Sequence, residues 1–227
     1  MDFPKRFPFA LNLGTHTGLV AGLTNEASCI DTWVQTDLSP AMIGSASGLC
    51  VAADEEFLPF AEASFDLVMS TGSLHWVNDL PGALIQMHRV LKPGGLLLVN
   101  LVGGETLKEL RQSFEQAEIA MSGGLSPRIS PFVEVKAAGS LLQRAGFMEP
   151  VTDSETLTVS YDDPMKLLYD LRGMGEANAL LASAKGFTRR SFFHSAMEYY
   201  RKHFSDEHGR VPATFDLITL TAWKKDE

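Results

Sequence analysis

Five mostly apolar residues, Phe9-Ala10-Leu11-Asn12-Leu13, run straight into Gly14-Thr15-His16-Thr17-Gly18, and a helical pattern begins at Leu19. No other stretch restricts the fold of this chain so strongly. A buried strand ending in a glycine turn that opens a helix gathers backbone N–H groups and a helix N-terminus at one point. That is a ready seat for the polar end of a nucleotide-like ligand. Gly14 and Gly18 suit a G-x-G-x-G form better than the dinucleotide fingerprint G-x-G-x-x-G, because position 19 is leucine. A histidine, His16, stands where the middle glycine belongs.

Downstream, strand and helix patterns alternate. Phe9–Leu13 is apolar enough to be covered on both faces, and further strands are expected at Thr32–Asp37, Leu49–Ala53, Phe65–Ser70 and Gly95–Leu101. Ser39 and Pro40 form an N-cap and first helical residue, and Leu80, Leu84, Met87 and Leu91 make one helical face that stops at Lys92-Pro93-Gly94-Gly95. The second half is less regular. Helices are expected at Glu105–Met121, Phe132–Ala145, Pro164–Leu171 and Arg189–His203, with strands at Glu155–Tyr161 and Thr214–Trp223. Alternating strands and helices predict an α/β fold, a Rossmann-like parallel sheet wound on both faces.

The 227 residues show no internal repeat or linker, which favours a single domain with a cofactor half (1–102) and a substrate half (103–227). A net charge of −9 argues against a nucleic-acid partner, since phosphate neutralisation needs clustered Lys and Arg. Arg189, Arg190, Arg201 and Lys202 do cluster, but in a helical pattern that reads as a solvated face. Cys29 and Cys50 make neither a metal-ligand spacing nor a disulfide framework, which suits a reducing compartment. The proline-broken opening is no signal peptide, and no apolar run approaches the ~20 residues of a membrane span.

Right-handed crossovers bring the C-terminal ends of parallel strands to one sheet edge. Gly14, Asp37, Asp54 and Ser70 fall at four such ends. Asp37 is placed to accept hydrogen bonds from a ribose diol, or to cap the next helix. Asp54, followed by Glu55, is placed to meet an adenine amino group, or to form a plain turn. Leu38, Met42 and Leu58 are candidate walls for the adenine ring, or ordinary core.

Taken together, several segments resemble the successive motifs of class I S-adenosylmethionine-dependent methyltransferases (type 11). They are Asn12–Gly18, Asp37–Met42, Leu58–Phe60 with Ser64–Val68, and Arg89–Gly95, and they are most similar to the subgroup that includes the biotin-pathway methyltransferase. A narrower resemblance spans nearly the whole chain. Asp54–Phe60, Ser73–Pro81, Gly103–Leu107, Gly123–Phe132, Leu171–Asn178 and Gly209–Thr214 look like the family of mitochondrial complex I assembly factor 5 and its bacterial relatives. The resemblance implies a seven-stranded sheet with the last strand antiparallel between the fifth and sixth, and S-adenosylmethionine as cofactor. Its cofactor-binding positions are Asn12, Gly14, His16, Gly18, Asp37, Leu38, Met42, Asp54, Glu55 and Ser70.

The resemblance, with this chain's departures from it at Asn12, His16 and the short N-terminus, leaves three readings of the activity. The first is methyl transfer to an unknown acceptor, protein or small molecule. In the second, an arginine on a respiratory complex I subunit is hydroxylated, the activity credited to the eukaryotic member. The third is a non-catalytic assembly module with a degenerate cofactor loop. Asn12 replaces the family's acid and His16 its glycine, which is expected to weaken cofactor binding by about one to two decades if both costs fall on the bound state. His75 is a candidate base and Trp76 a wall or cation-attracting face, or the two are a packed pair supporting their loop. Arg172, Glu176 and Asn178 are candidates for a polar substrate pocket, with Glu176 suited to a guanidinium, or they cap the helix that ends near Leu171. Ser126-Pro127-Arg128 reads as a plain surface loop, with a lid or partner-docking loop as the alternative. Met1 lies close to the first strand where relatives carry a further segment, so an open site or a shortened start is expected. A bacterial cytoplasm fits this start, or the mitochondrial matrix if a leader lies upstream.

Overall fold

The computed structural model describes residues 6–24, 29–122, 132–176 and 189–226. Seven strands form one sheet: β1 (Phe7–Leu13), β2 (Ile30–Asp37), β3 (Leu49–Ala52), β4 (Phe65–Thr71), β5 (Leu91–Val102), β6 (Met148–Tyr161) and β7 (Val211–Trp223). Their order across the sheet is β3-β2-β1-β4-β5-β7-β6. The first five pair in parallel. β7 runs antiparallel to β5: Gly94 N donates to the Lys224 carbonyl and Gly103 N to that of Asp216, so one chain position rises as the other falls. Among these strands lie α1 (Leu19–Thr24), α2 (Pro40–Ile43), α3 (Leu80–Val90), α4 (Lys108–Ser122), α5 (Val135–Arg144), α6 (Pro164–Met174) and α7 (Arg190–Phe204).

The chain divides into two compact units. One contains residues 1–102, 133–154 and 218–227, and the other contains 103–132 and 155–217. In the first unit, strand alternation sends neighbouring residues to opposite faces of the sheet. Leu11, Val68 and Leu97 pack with Leu84 and Met87 of α3 and Leu142 of α5, whereas Ala10, Leu67 and Leu96 pack with Ala21 of α1 and Trp33. Both faces are therefore covered, which is why these strands read as near-continuous apolar runs. The second unit has its own core. In it Leu110 and Phe114 of α4, Leu167 of α6 and Phe192, Ala196 and Tyr200 of α7 pack with Val211 and Ala213.

Caps explain several helix starts. The Ser39 hydroxyl accepts from Met42 N, the Asp79 carboxylate from Gly82 N, and the Asp163 carboxylate from Met165 N, each with a proline in the first helical positions. Most strands have a bound shifted by up to three residues from the sequence expectation, and two strands start earlier by more than that. β5 starts at Leu91 rather than Gly95, because Leu91 already pairs with Phe65 before a register shift brings Leu96 opposite Leu67. β6 starts at Met148 rather than Glu155. It is the last strand in the sheet and mostly exposed, so it lacks the apolar alternation that marks a half-buried strand.

Candidate active site

The parallel register sets Leu13 against Thr36 and Ser70, and Asp37 against Ala52. The C-terminal ends of β1 to β4 thus share one edge of the first unit, and the glycine turn lies there. Gly14 is buried at φ +60°, and a Cβ on it would lie 2.2 Å from Ser73 Cβ and 3.2 Å from Glu55 Oε1. Only glycine fits such a position. Gly18, at φ +81°, would set a Cβ 2.8 Å from Gln35 Oε1. His16 is also left-handed, at φ +50°, so the turn demands a positive φ at all three places and the chain meets that demand with a histidine at one.

Protein contacts hold the turn in that shape. Thr15 N donates to the Thr36 carbonyl (2.9 Å), and His16 N donates to Asp37 Oδ2 (2.9 Å). The other carboxylate oxygen of Asp37 accepts from Ser39 N at 2.8 Å. Each oxygen keeps a second lone pair for a hydroxyl donor. Asn12 is buried, and its Nδ2 donates to Thr15 Oγ1 (2.7 Å). That hydroxyl donates to Gln35 Oε1 (2.9 Å), and Gln35 Nε2 donates to the Ser47 carbonyl. Asn12 is therefore occupied in holding the turn through a directed chain of neutral groups. Thr15, Gln35 and Ser73 were not anticipated from the sequence. Their one signal was polarity inside otherwise apolar strands, as with Gln35 in Trp33-Val34-Gln35-Thr36.

The acid turn after β3 closes over the same edge. Asp54 Oδ1 accepts from Glu56 N (2.9 Å), an Asx turn that brings Glu55 inward. Glu55 is buried beside Gly14, and its carboxyl is pushed above its ordinary range by burial first and then by the Asp54, Asp37 and Glu56 carboxylates. Glu56 Oε1 accepts from Asn78 N and Asp79 N (2.5 and 3.1 Å), tying the acid turn to the loop after β4. In that loop Ser70 and Ser73 share a hydroxyl–hydroxyl bond (2.8 Å), both buried. A 3-10 turn over Leu74–Trp76 follows, with the His75 and Trp76 rings tilted at 5.5 Å and Trp76 38% exposed.

The candidate positions thus separate by place. Asn12, Gly14, His16, Gly18, Asp37, Asp54, Glu55, Ser70, His75 and Trp76 come from the strand ends and loops of one sheet edge. Leu38 and Met42 are 65% and 44% exposed beside Asp37, apolar surface that no core residue covers. Leu58 is different. It is 5% exposed within the first core, held where Arg89 donates to the Leu58 and Phe60 carbonyls (2.8 and 2.7 Å), so it is no wall for a ring. Arg172 and Glu176 belong to the second unit. Their backbone caps α6, with Gly175 at φ +83° donating to the Arg172 carbonyl and Glu176 N to that of Leu171. Asn178 and Ser126-Pro127-Arg128 lie outside the described residues. Among the described residues no group of His, Cys, Asp and Glu is placed to hold a metal ion.

A mostly parallel seven-stranded sheet with an antiparallel penultimate strand, a glycine turn after β1 and acids after β2 and β3 defines a class I methyltransferase fold. Residues 11–99 match a family model described as a methyltransferase domain. The YcgJ protein of Bacillus subtilis superposes with a TM-score of 0.69 over 99% of this chain and 95% of that one, at 15% identity. Human arginine-hydroxylase NDUFAF5, mitochondrial, is 42% identical over all of this chain and 66% of its own length. Malonyl-[acyl-carrier protein] O-methyltransferase of Gallionella capsiferriformans is 35% identical over 91% of this chain and 67% of its own length. The chain belongs to the S-adenosylmethionine-dependent methyltransferase family, and S-adenosylmethionine is the cofactor of that family. It spans about two thirds of the length of these curated relatives.

The residues present fit that cofactor. Strand-end carboxylates with spare lone pairs suit ribose hydroxyls and an adenine amino group, and exposed Leu38 and Met42 supply apolar flanks.

Proposed function

We propose that this chain binds S-adenosylmethionine at the β1–β4 edge and acts as a methyltransferase. The observation that supports this is the convergence of the glycine turn, Asp37, the Asp54–Glu55 turn and the Ser70–Trp76 loop at one sheet edge. When bound, the cofactor supplies a methyl group made electrophilic by its sulfonium. Asp37 would hold the ribose hydroxyls, Asp54 the adenine amino group, and Leu38 and Met42 the faces of the ring. Asn12, Gly14, His16 and Gly18 shape the turn, and Glu55 and Ser70 line it. His75 is the group we assign to take a proton from an acceptor that must lose one, with Trp76 walling the site and drawing a cationic acceptor to its face. Calorimetry tests the first step: S-adenosylmethionine should bind, Asp37→Ala should weaken it at least tenfold, and no heat at millimolar ligand on folded protein ends the reading.

A second reading is modification, by hydroxylation, of a protein arginine on a respiratory complex I subunit. It is favoured by the degree of the similarity. The relative named an arginine-hydroxylase is 42% identical over the whole chain, against 35% over 91% of it for the relative named a malonyl-[acyl-carrier protein] O-methyltransferase. Mass spectrometry of complex I subunits from a strain lacking this chain separates the readings. A peptide lighter by one oxygen supports hydroxylation, one lighter by a methylene supports methylation, and unchanged peptides remove the second reading. No helix of the described residues is long and apolar enough to cross a membrane. We place the activity in a bacterial cytoplasm, or in the mitochondrial matrix if a leader precedes this sequence.

A further inference from the structure

The second unit carries a cavity of about 470 Å³ that none of the roles above uses. Val159 and Tyr161 of β6, Tyr169, Asp170 and Met174 of α6, and Phe215 of β7 line it. Period-two spacing puts Val159 and Tyr161 on one strand face, and Asp170 and Met174 lie one turn apart on α6. Much of this wall is apolar surface in solvent, with Tyr169 65%, Met174 56% and Val159 42% exposed. Asp170 is the only acid on it among the described residues, and it accepts a hydrogen bond from the Tyr161 hydroxyl. Burial first, then that bond and the nearby charge, raise the Tyr161 phenol above its ordinary value, so it remains a donor at neutral pH.

Its acidic neighbours are compensated and Asp170 is not. Asp162 pairs with Lys166 and Asp163 with Arg201, each at 2.7 Å, whereas no lysine or arginine among the described residues pairs with Asp170. Ring faces carry negative charge density, and a carboxylate among them is the chemistry of a cation receptor. In a chain of net charge −9 this groove favours a basic partner.

We propose that this groove receives a cationic side chain of a protein partner, the guanidinium of an arginine flanked by apolar residues. Asp170 pairs with the guanidinium, Tyr161, Tyr169 and Phe215 offer ring faces, and Val159 and Met174 take the apolar neighbours. The carboxylate and the rings call for a cation, and the ring faces favour a planar guanidinium, which stacks on them, over an ammonium.

The test uses the whole chain labelled with 13C at methionine methyls, titrated with blocked Leu-Arg-Leu and with its neutral citrulline analogue. The Met174 methyl should shift saturably with the arginine peptide, and the citrulline peptide should bind about tenfold more weakly. Asp170→Asn should weaken the arginine peptide about as much and leave S-adenosylmethionine affinity unchanged. Equal binding of the two peptides, undiminished binding to Asp170→Asn, or no Met174 shift at millimolar peptide overturns the proposal. Calorimetry with S-adenosylmethionine on the same samples keeps the two ideas apart. A chain that takes the peptide but not the cofactor loses the methyltransferase reading and keeps the groove, and the reverse result loses the groove alone.

Discussion

His16 sits at φ +50° in a turn whose other two pivots are glycines, and its N–H is held by the Asp37 carboxylate. An L-residue in the left-handed region costs about 1 kcal/mol. Contacts within the protein fix that geometry, so the cost falls on folding more than on cofactor binding. His16→Gly removes the strain but frees the unfolded chain by roughly 0.5–1 kcal/mol. Its denaturant midpoint should therefore correspond to a stability within about 1 kcal/mol of the parent. Affinity for S-adenosylmethionine by calorimetry should change less than tenfold, and a gain of two decades would move the strain to the bound state. Glu55 gives a second prediction. Its folded-state pKa lies above the ordinary 4.5, so the folded protein keeps a proton that the unfolded chain has released. Stability from this group is full below about pH 4.5 and is lost as pH rises toward the raised value. Glu55→Gln does not titrate. Its melting temperature should gain on the parent between pH 4 and 7.5, and a pH-independent difference would contradict the assignment.

Among the elements, α3 joins the sequence motif Arg89–Gly95 to the rest of the first unit. Arg89 grips the Leu58 and Phe60 carbonyls, Lys92 pairs with Asp66 at 2.9 Å, and Lys224 Nζ donates to the Leu91 carbonyl. These residues resemble a methyltransferase motif, and in the structure they brace the sheet without entering the site. His88, on the same helix, meets the Phe147 ring edge-on at 5.0 Å beyond α5. Burial, then Lys224, lowers its pKa below the ordinary 6.5, with a bond to the Gly146 backbone opposing. The fold prefers neutral His88, so this contribution is present above pH 6.5 and is lost as pH falls through the lowered value. Urea midpoints at pH 7.5 and 5.5 check it. His88→Gln should shrink the parent's loss of stability on acidification, and an equal loss in both proteins would assign the effect elsewhere.

At the scale of the whole molecule, the order of strands and helices and the place of the cofactor turn were legible in the sequence. Apolar runs covered on both faces, a strand-to-helix glycine turn and proline-opened helices are local signals, each written in a few consecutive residues. Legibility ended where an element's partners lie far along the chain. The start of β5 depended on Leu91 finding Phe65, and β6 carried no burial pattern of its own. In the site, the sequence brought Gly14, Asp37, Asp54 and Ser70 to one edge, because parallel crossovers leave them no other. Only the tertiary structure decided which side chains are already engaged there. Asn12 is tied through Thr15 to Gln35 twenty residues on, Asp37 holds the His16 and Ser39 amides, Leu58 is core, and Leu38 and Met42 remain uncovered. A buried polar group must find a partner wherever the register places one, and that register is set by strand pairing across the sheet. The periodicity of any one segment does not contain it.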